Sequence, residues 1–300
     1  MKTTKYYLAA FVAFLIWGFF SLGLKPIHHY PSLDILFYRV FLGVILMTVV
    51  NVVFRGNVVK QNWSDFKNML PNHKRQILFL TFGGSILLMA NWFFFIFVMN
   101  HVSVKAASFA YMVCPILTTV FAYFILKEKL SKWQWAAVGI SVFSCVLLSY
   151  NHFMDIFFSL IVATTYALYL VSQRKNSEID KFLLLNIQLL VAGSIMLPFY
   201  PKYSGALPTE GLFYICLLII VVLFTIIPLF LNLYALKGVS SATVGIMIYI
   251  NPIINFLLAI FYFKEQVSLL QLTAYFLILV SIVVFNEKLL FKRNKKHLEI

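Results

Sequence analysis

The sequence predicts an all-α integral membrane protein, with ten transmembrane helices arranged as two inverted five-helix repeats. Three observations lead there. Ten stretches of the 300 residues are each long and apolar enough to cross a bilayer, at roughly 20 residues per crossing. The lysines and arginines between them fall mostly on one side. Segments of the two halves also match each other in register.

Composition sets the class. The chain is 62% hydrophobic and 11% charged, with a mean hydropathy of +0.91, whereas a soluble domain carries roughly 25% charged residues. Function therefore has to be carried out in or across a membrane. A net charge of +14 would suggest nucleic acid in a soluble protein. Here the basic residues sit in short loops and a tail, where they set topology and meet anionic lipid, so no nucleic-acid partner is expected.

The spans are taken in order. Span 6–24 follows Lys2 and Lys5 as a signal peptide would, but no small-x-small cleavage site comes after it, so it is read as a retained helix. Span 33–54 carries Arg39 within its apolar run. In the loop 55–76, Trp63, Phe66 and Leu70 recur at helical spacing beside Lys60, Lys67 and Lys74, which predicts a short amphipathic helix on the inner leaflet. Spans 77–99 and 103–126 hold the small-residue runs Gly83-Gly84-Ser85 and Ala106-Ala107-Ser108, which permit close helix approach. Spans 133–150, 153–172, 182–200, 211–234, 240–263 and 267–286 follow, and a basic tail from Lys288 to Lys296 is expected along the membrane surface. Several spans are rich in Val, Ile and Phe. In lipid, a run of this length must satisfy its own backbone, so helix is favoured over strand.

An even number of spans puts both termini on one face. With that face cytoplasmic, 19 basic residues fall inside and 4 outside (Lys25, Lys105, Lys202 and Lys264), which predicts cytoplasmic N- and C-termini.

The fourth and fifth spans match the ninth and tenth without a gap. Pro115 aligns with Pro252 at an offset of 137. At the same offset Val102-Ser103 meets Val239-Ser240, Ile116 meets Ile253 and Lys127-Glu128 meets Lys264-Glu265. Ser131 also meets Ser268, and Gln134 meets Gln271. Upstream, Lys25 and Arg174 each close a first span, which places Trp17 opposite Tyr166. Five spans per copy is an odd number, so the second copy (151–300, with the basic tail) enters the membrane upside down relative to the first (1–150). Such repeats are a hallmark of transporters, because similar halves give two conformations of nearly equal energy. A duplicated scaffold without transport is the rival reading.

These segments resemble the EamA domain of the drug/metabolite transporter superfamily. Trp17-Gly18-Phe19-Phe20 with Lys25, Asp34-Ile35-Leu36 with Arg39-Val40, the run from Asn91-Trp92 to Asn100, and Tyr249-Ile250-Asn251-Pro252 are similar to its RarD-like branch. The resemblance covers nearly the whole chain. It implies a ten-helix permease of the bacterial cytoplasmic membrane, usually an exporter of small metabolites or drugs, with a small-molecule substrate and membrane lipid as partners.

Arg39 lies about six residues into its span, roughly 9 Å below the outer boundary at 1.5 Å per residue. A charge there should face a cavity, a partner or a substrate. It either captures an anionic group such as a carboxylate or ties the fold together through a helix C-terminus, Asp34 or Asp155. No Asp or Glu lies deep in a span, so no carboxylate proton relay is visible. Glu128 and Glu265 occupy equivalent ends of inverted helices; they are read as gate latches or, more plainly, as charged helix ends at headgroup level.

Trp17, Asn91, Tyr111, Tyr166, Asn232, Tyr249 and Asn251, with Trp92 and Tyr169, lie at mid-depth. Singly each is as well explained by packing. Together they suggest an amphipathic cavity for small organic molecules, including aromatic or amino-acid-like ones. Pro115 and Pro252 would bend their helices or free a carbonyl toward it.

An integral-membrane enzyme or a sensor is the alternative. His28, His29, His73, His101, His152 and His297 lie in loops, span ends or the tail without ligand spacing, and no Walker A loop is present. Cys114, Cys145 and Cys216 sit in apolar runs and are read as packing residues. No metal and no cofactor is expected.

Overall fold

The computed structural model describes residues 4–101, 104–148, 153–262, 264 and 268–286. All regular structure among the described residues is helical. Helices α1 (Thr4–Gly18) and α2 (Phe20–Leu24) meet at Phe19, where the span bends by 41°. Helix α3 (Ser32–Val49) runs into a π-helical turn, Val50–Phe54, and α4 (Gly56–Asn68) is the short helix expected in the loop after it. Its Trp63 ring is exposed, stacks on Phe66 and carries the Lys67 ammonium 5.2 Å from its centroid.

Helices α5 (Pro71–His101), α6 (Val104–Leu126), α7 (Lys132–Leu148) and α8 (Phe153–Lys175) come next. Helix α9 (Lys181–Met196) leads through the 3-10 turn Leu197–Phe199 into the short α10 (Tyr200–Tyr203). Helix α11 (Gly211–Val221) joins α12 (Ile227–Ala235) through the π-helical turn Val222–Ile226. Helices α13 (Ser241–Met247), α14 (Ile250–Phe261) and α15 (Leu269–Phe285) complete the bundle.

Among the described residues, six helices are long and apolar enough to cross a membrane, or seven if the bent α1–α2 pair counts as one span. The shortfall from ten has physical causes. Helices α7 and α15 are 17 residues each, about 26 Å at 1.5 Å per residue, a little under the hydrocarbon thickness. Helix α8 reaches 23 residues but ends in Gln173-Arg174-Lys175.

The bundle is apolar outside and has a largely apolar core in which a set of polar side chains is embedded. Phe79, Phe124, Phe143, Ile215 and Phe276 project from helix exteriors, and surface of that kind is stable only against hydrocarbon or a partner. Asn51, Asn91, Gln173, Gln188 and Asn232 are buried instead. Helix α1 packs on α12 and α14, α8 on α5 and α6, α3 on α9, and α7 on α15.

The segments that match in sequence also share local geometry. Lys127 and Lys264 are the non-glycine residues with positive φ, at 56° and 57°, among the described residues. That left-handed step ends a helix where a side chain costs about 1–2 kcal/mol. Ser131 with Gln134 and Ser268 with Gln271 each form a reciprocal capping box at the start of the next helix. The two prolines act differently. Helix α6 continues through Pro115, whereas the chain breaks at Ile248–Tyr249 ahead of Pro252, and the Ile248 carbonyl is taken up by the Asn251 N–H at 3.0 Å.

Candidate functional site

A cavity of about 780 Å³ opens within the bundle. It is walled by α1–α2 (Trp17, Ser21), α3 (Ser32, Arg39), α5 (Asn91, Trp92), α6 (Tyr111), α8 (Tyr166) and α14 (Asn251, Asn255). It reaches the end of the bundle where Leu24, Leu148 and Ser268 sit.

Among the described residues, Arg39 is its one strongly basic side chain. The guanidinium carbon lies 4.8 Å from the Trp92 ring centroid, and Nε is buried without a hydrogen-bond partner among the described residues. Face-on contact with an indole favours a cation but supplies no acceptor. Asp34, one of the structural partners considered from sequence, is occupied elsewhere: its carboxylate accepts the Gly205 N–H at 3.1 and 3.2 Å. The Asp155 side chain lies outside the described residues. Among the described residues Arg39 meets no carboxylate, since the ion pairs there are His29–Glu210 and Arg55–Asp180.

Trp17 owes its place to a proline. Pro228 has no N–H, so the Phe224 carbonyl lacks its helical donor. The Trp17 indole N–H takes it up at 2.8 Å, pinning α1 to the π-helical turn. Asn91 Nδ2 donates to the Val162 carbonyl at 2.9 Å and reaches Thr165 Oγ1 at 3.4 Å. The ring of Tyr111 rests against Phe95, with centroids 5.5 Å apart.

Six of the eight sequence-read site residues thus line the cavity: Trp17, Arg39, Asn91, Tyr111, Tyr166 and Asn251. Asn232 and Tyr249 do not. Asn232 stands behind Tyr166 and donates to its hydroxyl at 2.8 Å; Tyr249 is fully buried. Depth along a span is legible in sequence, but the direction a side chain faces is decided by neighbouring helices.

Sequence reasoning missed Asn255 and Ser21. Asn255 Nδ2 donates to Asn251 Oδ1 at 3.0 Å, and Ser21 Oγ donates to Asn255 Oδ1 at 3.4 Å. Asn255 is one helical turn beyond Asn251, a spacing that puts both on one face.

At the opposite end of the bundle the chain is closed. The left-handed step at Lys127 turns Glu128 toward α13, where its carboxylate accepts the Ser241 N–H at 2.8 Å and the Ala242 N–H at 3.1 Å. A carboxylate there satisfies orphan donors and complements the helix dipole. Arg55 donates to Asp180 at 3.0 Å, and Arg174 reaches the Leu236 carbonyl. Loops expected on one face therefore meet one another. Glu265, its partner in the gate reading, lies outside the described residues, as do Val102-Ser103, His152 and the basic tail.

The EamA-like transporter family profile matches the chain twice, over residues 4–150 and 153–286. Uncharacterized transporter YojE of Bacillus subtilis (strain 168) is 27% identical over 292 residues, covering 95% of this chain and 94% of its own. Protein RarD of Escherichia coli (strain K12) is 24% identical, covering 95% and 94%. A solved structure described only as "Crystal structure of protein" superposes with a TM-score of 0.75 over 97% of this chain and 99% of its own, at 16% identity, which shows a shared fold alone. Apolar-faced helices around a mostly apolar chamber that carries a few polar groups, together with these relatives, define a multi-pass membrane transporter. The chain belongs to the EamA-like transporter family, as a drug/metabolite permease of the RarD-like branch.

Proposed function

We propose that this permease exports small organic solutes, amino-acid-like or aromatic and amphipathic, across the bacterial cytoplasmic membrane by alternating access. Ten spans form two inverted five-helix repeats, residues 1–150 and 151–300, with both termini cytoplasmic. The observation that carries the reading is the cavity with Arg39 in its wall, unpaired with any described carboxylate, beside Trp92, Trp17 and Tyr111. A cation and aromatic faces in a space of this size suit one solute with an acidic group and an apolar body.

The two halves exchange openings. In the present form the Glu128 latch closes the basic, cytoplasmic end, and the cavity opens outward. Glu265, its equivalent in the second repeat, is the gate residue of the other face. Solute moves the equilibrium by its differential affinity for the two forms. Two matches of one family profile and the shared geometry at Lys127 and Lys264 support the repeat. Export is the direction implied by the resemblance to the family.

Reconstitution tests the function. Purified protein in liposomes loaded with a panel of amino acids and aromatic acids should show counterflow of at least one labelled member above protein-free liposomes. No counterflow with any member, from protein that remains folded, would count against this substrate class.

A further inference from the structure

Matching Lys25 to Arg174 aligns the early spans of the two halves at an offset of 149. Two residues stand against their own counterparts at that offset. The Trp17 and Tyr166 rings are 6.4 Å apart, edge to face. Val44 Cγ2 lies 3.2 Å from the position a Cβ on Gly193 would take. Self-contacts of this kind arise only close to a twofold axis, where both partners of a symmetric pair meet.

The same offset pairs the open wall with a sealed one. Phe20, Leu24, Ser32 and Arg39 line the cavity. Their counterparts Tyr169, Gln173, Lys181 and Gln188 are 1%, 0%, 2% and 0% exposed. These buried side chains are polar and joined. Tyr169 OH donates to Gln188 Oε1 at 3.1 Å, Gln188 Nε2 donates to Gln173 Oε1 at 2.8 Å, and Gln173 Nε2 reaches the Leu80 carbonyl at 3.2 Å. The Lys181 ammonium donates to the Asn176 carbonyl and, among the described residues, meets no carboxylate. Amides and a phenol can tie helices together in a membrane. Here they occupy the places that line the cavity in the other half and have a buried ammonium beside them, and a buried ionisable group of that kind marks a solute pathway.

We propose that Tyr169, Gln173 and Gln188, with Lys181 at the mouth, form a second solute site, sealed in this form, that receives the carboxylate of an organic anion when the chain opens at its α13 end. The site rests on the alternating-access reading above. Lys181 holds the place of Ser32 and Gln188 that of Arg39, so each wall carries one cation, about two helical turns apart in register. Each form offers its own cation to the same acidic group while the neutral amides grade the path.

The test uses the full chain with Cys114, Cys145 and Cys216 replaced by Ser, carrying Leu184→Cys beside the seam. Ser172→Cys, an isosteric change, serves as the second position should Leu184→Cys fail to fold. A membrane-impermeant maleimide is added from the α13 face, with Glu128→Ala to release that end. Labelling should rise several-fold in Glu128→Ala over the Glu128 parent. Benzoate or phenylacetate should slow it, benzyl alcohol should not, and Gln188→Leu should remove the protection. Labelling that neither carboxylate slows would overturn the second site and leave alternating access standing. No labelling from that face at either position, with Ser32→Cys still labelled from the other face, would overturn both.

Discussion

A single guanidinium inside an apolar run was the plainest residue-level signal in the chain, because an unpaired charge at that depth demands a reason. Arg39 stands in the cavity wall over Trp92. Arg39→Ala should lower transport of a carboxylate solute at least tenfold, about 1.4 kcal/mol of binding, with protein abundance unchanged. Arg39→Lys should recover only part, since an ammonium loses the planar fork and the stacking. Equal counterflow by Ala and wild type would remove Arg39 from the site. Asn232 and Tyr249 mark the limit of such reading. Neither lines the cavity: Asn232 stands behind Tyr166 and Tyr249 is fully buried, a placement set by neighbouring helices that no local pattern reveals.

Among the elements, small residues gave a partial signal. Gly83 and Gly84 are adjacent, yet only Gly84 is committed: a Cβ there would fall 2.0 Å from Gln173 Nε2, whereas nothing lies within 4 Å of a Cβ at Gly83. Gly84→Ala should cost about 1–3 kcal/mol by displacing Gln173 from its network. Gly83→Ala should be neutral or stabilise by about 0.5–1 kcal/mol, as expected of a helical glycine with open space at its Cβ. Thermal unfolding in detergent separates the two, and equal shifts would refute the packing described.

Asp180 makes a pH prediction at the start of α9. Partial burial raises its carboxyl, but hydrogen bonds from Arg55 and the Leu183 N–H outweigh this and hold it below the usual carboxylate range. With the folded value below the unfolded one, its contribution is present above the unfolded pKa of about 3.9 and is lost as pH falls through the folded value. Asp180→Asn should therefore flatten the acid limb of a stability-versus-pH profile. An unchanged limb would remove the Arg55 pair from stability. The bend at Phe19 and the π-helical turns were not legible in sequence. They depend on contacts between distant segments, as when the Trp17 N–H takes the carbonyl freed by Pro228.

At the scale of the molecule, the matched Lys-Glu and Ser-x-x-Gln segments were readable because each has a local physical role, left-handed termination and reciprocal capping; the prolines match in sequence, yet only the segment ahead of Pro252 breaks its helix. The embrace of α13 by Glu128 was not readable, since its partners lie 113 and 114 residues away. That contact makes a conformational prediction. Glu128→Gln keeps one acceptor but loses the charge on the helix N-terminus, and should shift cysteine-probe access toward the α13 end. No shift would leave Glu128 as a helix cap alone. The architecture itself is tested by single cysteines at Lys132 and Leu269, equivalent positions at the offset of 137 that leave both capping boxes intact. An impermeant maleimide applied to intact cells should label Leu269→Cys and spare Lys132→Cys, placing equivalent residues in opposite compartments; labelling of both, or of neither until the cells are opened, would contradict two inverted halves.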